Sequence, residues 1–292
     1  MFRGTYTALV TPFRDGAIDA AAFEKLIEAQ IAAGITGIVA IGTTGESPTL
    51  SHDEREQVIR LAVQIAKGRC QVLAGTGSYS TSEAIAATMA AEKLGVDGAL
   101  VVAPYYNKPS QEGLFRHFRA IAQATKLPIM LYNIPGRCGV DINAATVERL
   151  AFDSGNIIAI KEASGSVERV SDLAARMPEN FTILSGDDGL TLPFLAAGAV
   201  GVVSVASNLL PAEVCALVDL FRRSDVVSAQ KLHRRLGGVF KDLFIEPNPV
   251  PVKTALAWRG EMSNEVRLPL CEMTSENAAR LRKTLEAFEK SK

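Results

Sequence analysis

The chain has 292 residues, 48% of them apolar, with a formal net charge of −1. That is enough for one large α/β domain or two small ones, and it gives no reason to expect nucleic acid or an anionic membrane as a partner. Cys70, Cys138, Cys215 and Cys271 lie far apart with no C-x-x-C pair, and His52, His117 and His233 are isolated. This predicts free thiols in a reducing, cytoplasmic compartment and no metal site.

The N-terminal stretch MFRGTYTALVTPF lacks a basic region followed by a long apolar run, so it does not read as a signal peptide. From there, short apolar runs alternate with longer helix-period segments. The runs cover 6–10, 37–41, 71–74, 99–103, 129–132, 157–161, 182–184 and 201–205, and each carries the β-branched and apolar residues that strands favour. Between them, Ser51-x-x-Glu54 and Ser80-x-x-Glu83 read as capping boxes, and Ser110 as an N-cap. Gly34, Gly68 and Gly95 stand where helices should stop. The most apolar stretch, 190–210, is broken by Pro193, several glycines and Asn208. It predicts a helix and a strand, not a membrane span. After about residue 210 only helical segments follow, at 212–222, 228–244, 250–258 and 275–289. Eight strand–helix units predict an α/β fold, a (β/α)8 barrel over residues 1–222, with a C-terminal helical extension over 223–292. A doubly wound open sheet is the competitor, but no G-x-G-x-x-G follows the first strand.

In such barrels the reacting groups sit at the C-terminal ends of the strands. The sixth run ends in Lys161. Alternation would place Ile157, Ala159 and Lys161 on one face and Ile158 and Ile160 on the other. Lys161 is then either a stem packed along the strand end with its ammonium reaching water or an acid, or a desolvated amine able to form a Schiff base. The fifth run ends in Tyr132, one strand away from Lys161, which brings a phenol near the amine as a proton carrier. Arg137 follows as a clamp for a carboxylate or as a surface ion pair. Thr43 and Thr44 after the second run offer hydroxyls and backbone N–H groups, or simply a polar turn. Tyr105 and Tyr106 after the fourth run read as packing, interface or site residues. A lysine, a phenol, hydroxyls and an arginine on one rim favour the Schiff-base reading.

These segments, GTTGES at 42–47, PYYNKPSQEG at 104–113, YNIPGR at 132–137, IKEASG at 160–165, SGDD at 185–188 and EPNPVPVK at 246–253, resemble the dihydrodipicolinate synthase family of pyruvate-dependent class I aldolases over nearly the whole chain. The resemblance implies condensation of pyruvate with L-aspartate 4-semialdehyde, in lysine and diaminopimelate biosynthesis, with no cofactor beyond the covalent imine on Lys161. It implies Tyr132 as proton donor and acceptor, and Thr43 as a relay to Tyr106, which comes from a neighbouring subunit. Thr44 would hold the pyruvate carboxylate, the Val203 backbone would line the pocket, and Arg137 with Gly186 would receive the semialdehyde. The shared Tyr106 implies a homo-oligomer of at least two subunits, and the resemblance suggests a dimer of dimers. Ser47, His52, Glu83 and Tyr105 match positions of a regulatory lysine site. Cys138 departs from the family's threonine after Arg137, and Arg55 and Tyr79 replace a histidine and an asparagine of the lysine-sensitive pattern. The two rivals are a sugar-acid aldolase of the N-acetylneuraminate or 2-keto-3-deoxy acid type, and a non-catalytic keto-acid or phosphate-binding barrel using the glycine-rich stretch 197–201.

Overall fold

A computed structural model describes residues 1–291. In chain order the elements are β1 (Gly4–Ala8), β2 (Phe13–Arg14), β3 (Ala17–Ile18), α1 (Ala20–Ala32), β4 (Gly37–Ala40), α2 (His52–Ala66), β5 (Gln71–Gly75), α3 (Thr81–Lys93), β6 (Gly98–Val102) and α4 (Gln111–Gln123). There follow β7 (Ile129–Asn133), α5 (Pro135–Cys138), α6 (Ala144–Asp153), β8 (Ile157–Glu162), α7 (Val167–Arg176), β9 (Thr182–Ser185), α8 (Thr191–Ala196), β10 (Gly201–Ser204) and α9 (Pro211–Arg222). The chain ends with α10 (Val226–Asp242), α11 (Val250–Trp258) and α12 (Ser275–Lys290). Eight strands close into one parallel barrel in the order β1-β4-β5-β6-β7-β8-β9-β10, with β2 and β3 forming a separate hairpin. This is the expected (β/α)8 barrel, and α10 packs against α9 and α12 beyond it. No helix among the described residues is long and apolar enough to cross a membrane.

Alternation along the strands builds two apolar layers. Side chains such as Ile38, Val101, Leu131 and Ile160 face the helices. Tyr6, Val39, Leu73, Leu100, Met130, Ala159, Leu184 and Val203 fill the barrel interior. Phe2 meets Tyr6 edge to face at 6.1 Å near the start of the strands. Gly98 and Gly37 leave room for these rings: an added Cβ would come within 2.6 Å of Phe2 and 2.5 Å of Tyr6 respectively.

Four details differ from the sequence reading. The first strand lies two residues earlier than the run 6–10, because Asn208 Oδ1 accepts the Val10 N–H at 3.1 Å where a neighbouring strand would otherwise pair. On β8 a bulge pairs Ile129 with Ile157 but Met130 with Ala159. Ile157 therefore joins Ile160 in the helix-facing layer, while Ile158 packs toward the interior beside Ala159. Ser51 and Glu54 form a full capping box. At Ser80 only the hydroxyl cap exists, since the Glu83 carboxylate accepts from Ser78 Oγ at 2.8 Å instead. Finally, the stretch 197–201 leads into the start of β10, opposite the catalytic end of a barrel. Gly201 is there because any Cβ would strike the backbone of Gly4 at 2.0 Å, so this glycine serves strand packing rather than a ligand.

Candidate active site

The register of β7 and β8 places Tyr132 opposite Lys161. Both side chains point into the C-terminal mouth of the barrel and both are buried. The Lys161 Nζ lies 4.1 Å from the centroid of the Tyr132 ring. Gly186, just past β9, closes on the lysine stem: a Cβ there would sit 3.1 Å from Lys161 Cγ and Cε and 2.7 Å from Ala163 Cβ. Burial lowers the Lys161 pKa from 10.5 to about 8, with Arg137 pushing the same way and the Asp188 carboxylate opposing. Tyr132 moves the other way: burial raises its phenol well above the usual value, against the opposing charge of Arg137 and a hydrogen bond with the Thr43 hydroxyl. The site thus pairs an amine that is readily neutral with a phenol that keeps its proton.

The turn after β4 is bracketed by Ile41 and Glu46, both in left-handed backbone with φ of 49° and 55°. For a β-branched residue this is a strained conformation that its surroundings must hold. The C-terminal extension fastens the Thr44–Glu46 end of the turn. Asn248 Nδ2 donates to the Thr44 hydroxyl at 2.9 Å. Lys253 on α11 donates to Glu46 Oε1 at 2.7 Å and to the Thr11 carbonyl at 2.9 Å, and both charged side chains are fully buried. The other Glu46 oxygen accepts the Arg267 backbone N–H at 2.9 Å. The segments GTTGE and EPNPVPVK, far apart in sequence, are therefore one unit in space.

A cavity of about 220 Å³ opens beside this pair, lined by Thr43, Tyr105, Tyr132, Ile134, Arg137 and Cys138 among others. Arg137 stands exposed at its mouth on α5, and among the described residues it has no ion-pair partner. Cys138 beside it is buried, and burial pushes its thiol up to about 11. Val203 lies buried in the interior layer next to Leu184. Tyr106 is not brought to Thr43 within this chain. It is 91% exposed, at a left-handed φ of 74°. Ser47, His52, Arg55, Tyr79, Glu83 and Tyr105 line a second cavity of about 550 Å³ that shares Ser47 and Tyr105 with the first. There Tyr79 meets Tyr105 edge to face at 5.3 Å.

Several residues of the site were not singled out by sequence. Asp188 is buried and accepts from Ser204 Oγ and from the N–H groups of Val205 and Ala206 at 3.0 and 2.9 Å. Burial raises its pKa against those donors. Asn133, Glu162, Asn248 and Lys253 also belong to the framework of the site. Each stands inside a segment that carries the resemblance, and Asn133 and Glu162 directly follow Tyr132 and Lys161; that position was the available signal.

A parallel barrel with a desolvated lysine at one strand end, a phenol on the next strand and hydroxyls across the mouth defines a Schiff-base-forming lyase. The chain matches the dihydrodipicolinate synthetase family model over residues 1–288 and belongs to that family. It is 51% identical over 99% of both chains to the 4-hydroxy-tetrahydrodipicolinate synthase of Endomicrobium trichonymphae. Its fold superposes on the 4-hydroxy-tetrahydrodipicolinate synthase of the methanotroph Methylacidiphilum fumariolicum SolV with a TM-score of 0.98 at 57% identity, covering 99% of this chain and 97% of that one. The dihydrodipicolinate synthase of Aquifex aeolicus gives 0.97 at 48% identity, covering 99% and 98%.

Proposed function

We propose that this enzyme condenses pyruvate with L-aspartate 4-semialdehyde through an imine on Lys161. The observation that carries the reading is the buried Lys161 amine, lowered to about 8, against the ring of Tyr132. The neutral amine attacks the pyruvate keto carbon, and the carbinolamine loses water to give the imine. Loss of a methyl proton gives an enamine, whose carbon attacks the semialdehyde carbonyl. Attack of the substrate's own amine on the imine carbon then closes the ring and releases Lys161. Tyr132, kept protonated by its burial, gives and recovers protons through Thr43. Thr44 holds the pyruvate carboxylate; because Asn248 donates to its hydroxyl oxygen, the Thr44 proton is free to point at the ligand. The Val203 backbone bounds the pyruvate end, and the Arg137 guanidinium at the mouth, without an ion-pair partner among the described residues, receives the carboxylate of the semialdehyde with Gly186 nearby. A polyol would find a cation there where it needs neutral partners, which favours this substrate over a sugar acid.

Tyr106, exposed and held in strained backbone, suits insertion into the site of a neighbouring copy, where it completes the relay from Thr43. Two-fold symmetry makes that exchange mutual, and we take the assembly to be a dimer of dimers working in the cytoplasm. Borohydride reduction in the presence of pyruvate should add a three-carbon adduct to the peptide containing Lys161 and abolish activity. An unmodified Lys161 peptide, or higher kcat/KM for cleavage of a sugar acid, would refute the assignment. A fully active monomer in sedimentation at assay concentration would refute the shared tyrosine.

A further inference from the structure

Glu162 follows Lys161 directly, and Asn133 follows Tyr132. Successive strand residues point to opposite faces, so as Lys161 and Tyr132 turn into the mouth, Glu162 and Asn133 turn out toward the helices. The two pairs are adjacent rungs of one ladder, Tyr132 with Lys161 and Asn133 with Glu162. Glu162 and Asn133 are both fully buried. A buried carboxyl group is tolerated only if its oxygens are well provided with donors, and they are. Asn133 Nδ2 reaches both oxygens at 3.1 and 3.2 Å, the Ser164 N–H donates at 2.7 Å, and Arg169 Nε donates at 2.7 Å from α7.

The same partners run on to the segment that carries Arg137. Asn133 Oδ1 accepts the Ile142 N–H at 3.0 Å, and its amide also donates to Asp141 at 2.7 Å. The Arg169 guanidinium reaches Asp141 at 3.3 Å and the Ile142 carbonyl. Residues 134–142 leave β7, place Arg137 and Cys138 on the cavity, and return to this one point. On the other side, the Gly186 N–H donates to the Glu162 carbonyl at 2.7 Å, seating the glycine that packs on the lysine stem.

We propose that Glu162, with Arg169 and Asn133, is a positioning residue that ties the Lys161–Tyr132 pair and the Arg137 segment into one rigid frame, so that imine and aldehyde meet at a fixed separation. It touches no substrate. This rests on the Schiff-base reading above. Hydrogen bonds of fixed direction specify a position where apolar packing would only fill space. Glu162→Gln is isosteric but replaces one accepting oxygen with an NH2 group that faces donors. Arg169→Met removes the cation and its fork, while Arg169→Lys keeps a charge at the same place.

The test counts competent sites by borohydride trapping at saturating pyruvate and then measures, per competent site, KM for each substrate. In Glu162→Gln and Arg169→Met, trapping stoichiometry should stay near wild type while KM for the semialdehyde rises on the order of tenfold. KM for pyruvate should change less, and Arg169→Lys should recover most of the loss. A merely structural role would lower the number of competent sites and leave the KM values of the remainder unchanged, and that result overturns the proposal. Should a buried substitution prevent folding, Asp141→Ala removes only the half-exposed end of the frame, and it too must raise KM for the semialdehyde or the proposal fails. Wild-type enzyme that traps no pyruvate at Lys161 would instead overturn the Schiff-base reading itself.

Discussion

Lys161 should weaken the fold it serves. Its pKa falls from 10.5 in a free chain to about 8 in the barrel because burial disfavours the ammonium. That difference corresponds to about 3 kcal/mol of lost stability whenever the folded protein carries the charge. The sign fixes the window. Below pH 8 the buried amine is protonated and the penalty is complete. Between 8 and 10.5 the folded amine is neutral while the unfolded one is still charged, so the penalty shrinks and then vanishes. Lys161→Met keeps the stem and removes the charge. It should raise the melting temperature by roughly 5 °C at pH 7, with the gain fading toward pH 10. On the proposed mechanism the same lowering serves the chemistry, since at pH 7 the neutral amine is ~300-fold more abundant than at an ordinary lysine. The initial rate of pyruvate trapping in wild-type enzyme should therefore rise with a midpoint near pH 8. A Lys161→Met variant no more stable than wild type at pH 7, or equally stabilised at pH 7 and 10, would refute the reasoning. So would a trapping midpoint near 10.

Gly186→Ala places a methyl 2.7 Å from Ala163 Cβ and 3.1 Å from the lysine stem, so it should cost about 1–3 kcal/mol of stability and slow imine trapping severalfold. Arg137→Ala should leave trapping by pyruvate intact while kcat/KM for the semialdehyde falls by about 1.5–3 kcal/mol, as expected for a lost charged hydrogen bond. Lys253→Met leaves Glu46 buried and unpaired and should destabilise the protein by about 3–5 kcal/mol in denaturant titrations; adding Glu46→Gln should return part of that loss. Inhibition by L-lysine should be weak or absent, because Arg55 brings positive charge to the second cavity and Tyr79 puts a bulky ring with a single hydroxyl on its wall. Half-inhibition at low-micromolar lysine, at subsaturating pyruvate, would contradict this.

The barrel was legible because each strand is buried on both faces and reads as a short β-branched run, as in 129–132 and 201–205. The lysine and tyrosine were legible because both are polar residues at the ends of such runs. The bulge at Ile158 was not, since an extra residue leaves the composition of the run unchanged and shows only in the pairing. The hairpin of β2 and β3 has two residues per strand, too few for alternation to register. Glu46 and Lys253 each look like surface charges in their own segment, and only the folded chain shows that they neutralise each other. Glu162 was hidden by its neighbour: beside a candidate nucleophile, a carboxylate reads as solvent-facing, whereas it is fully buried.

The Glu46–Lys253 pair also bears on how the enzyme is made. Its two ends lie 207 residues apart, so during synthesis the turn bearing Thr43 and Thr44 emerges long before the lysine that closes it. Contacts of such separation form late, because the intervening chain must be ordered first. A polypeptide that stops after α9 has every barrel strand yet holds Glu46 without its counter-charge and Thr44 without Asn248. Such a fragment should be open at the catalytic rim and readily degraded. Residues 248–267 would thus act as a completion check, since only a chain translated past Arg267 supplies the partners that fasten the turn bearing Thr43 and Thr44.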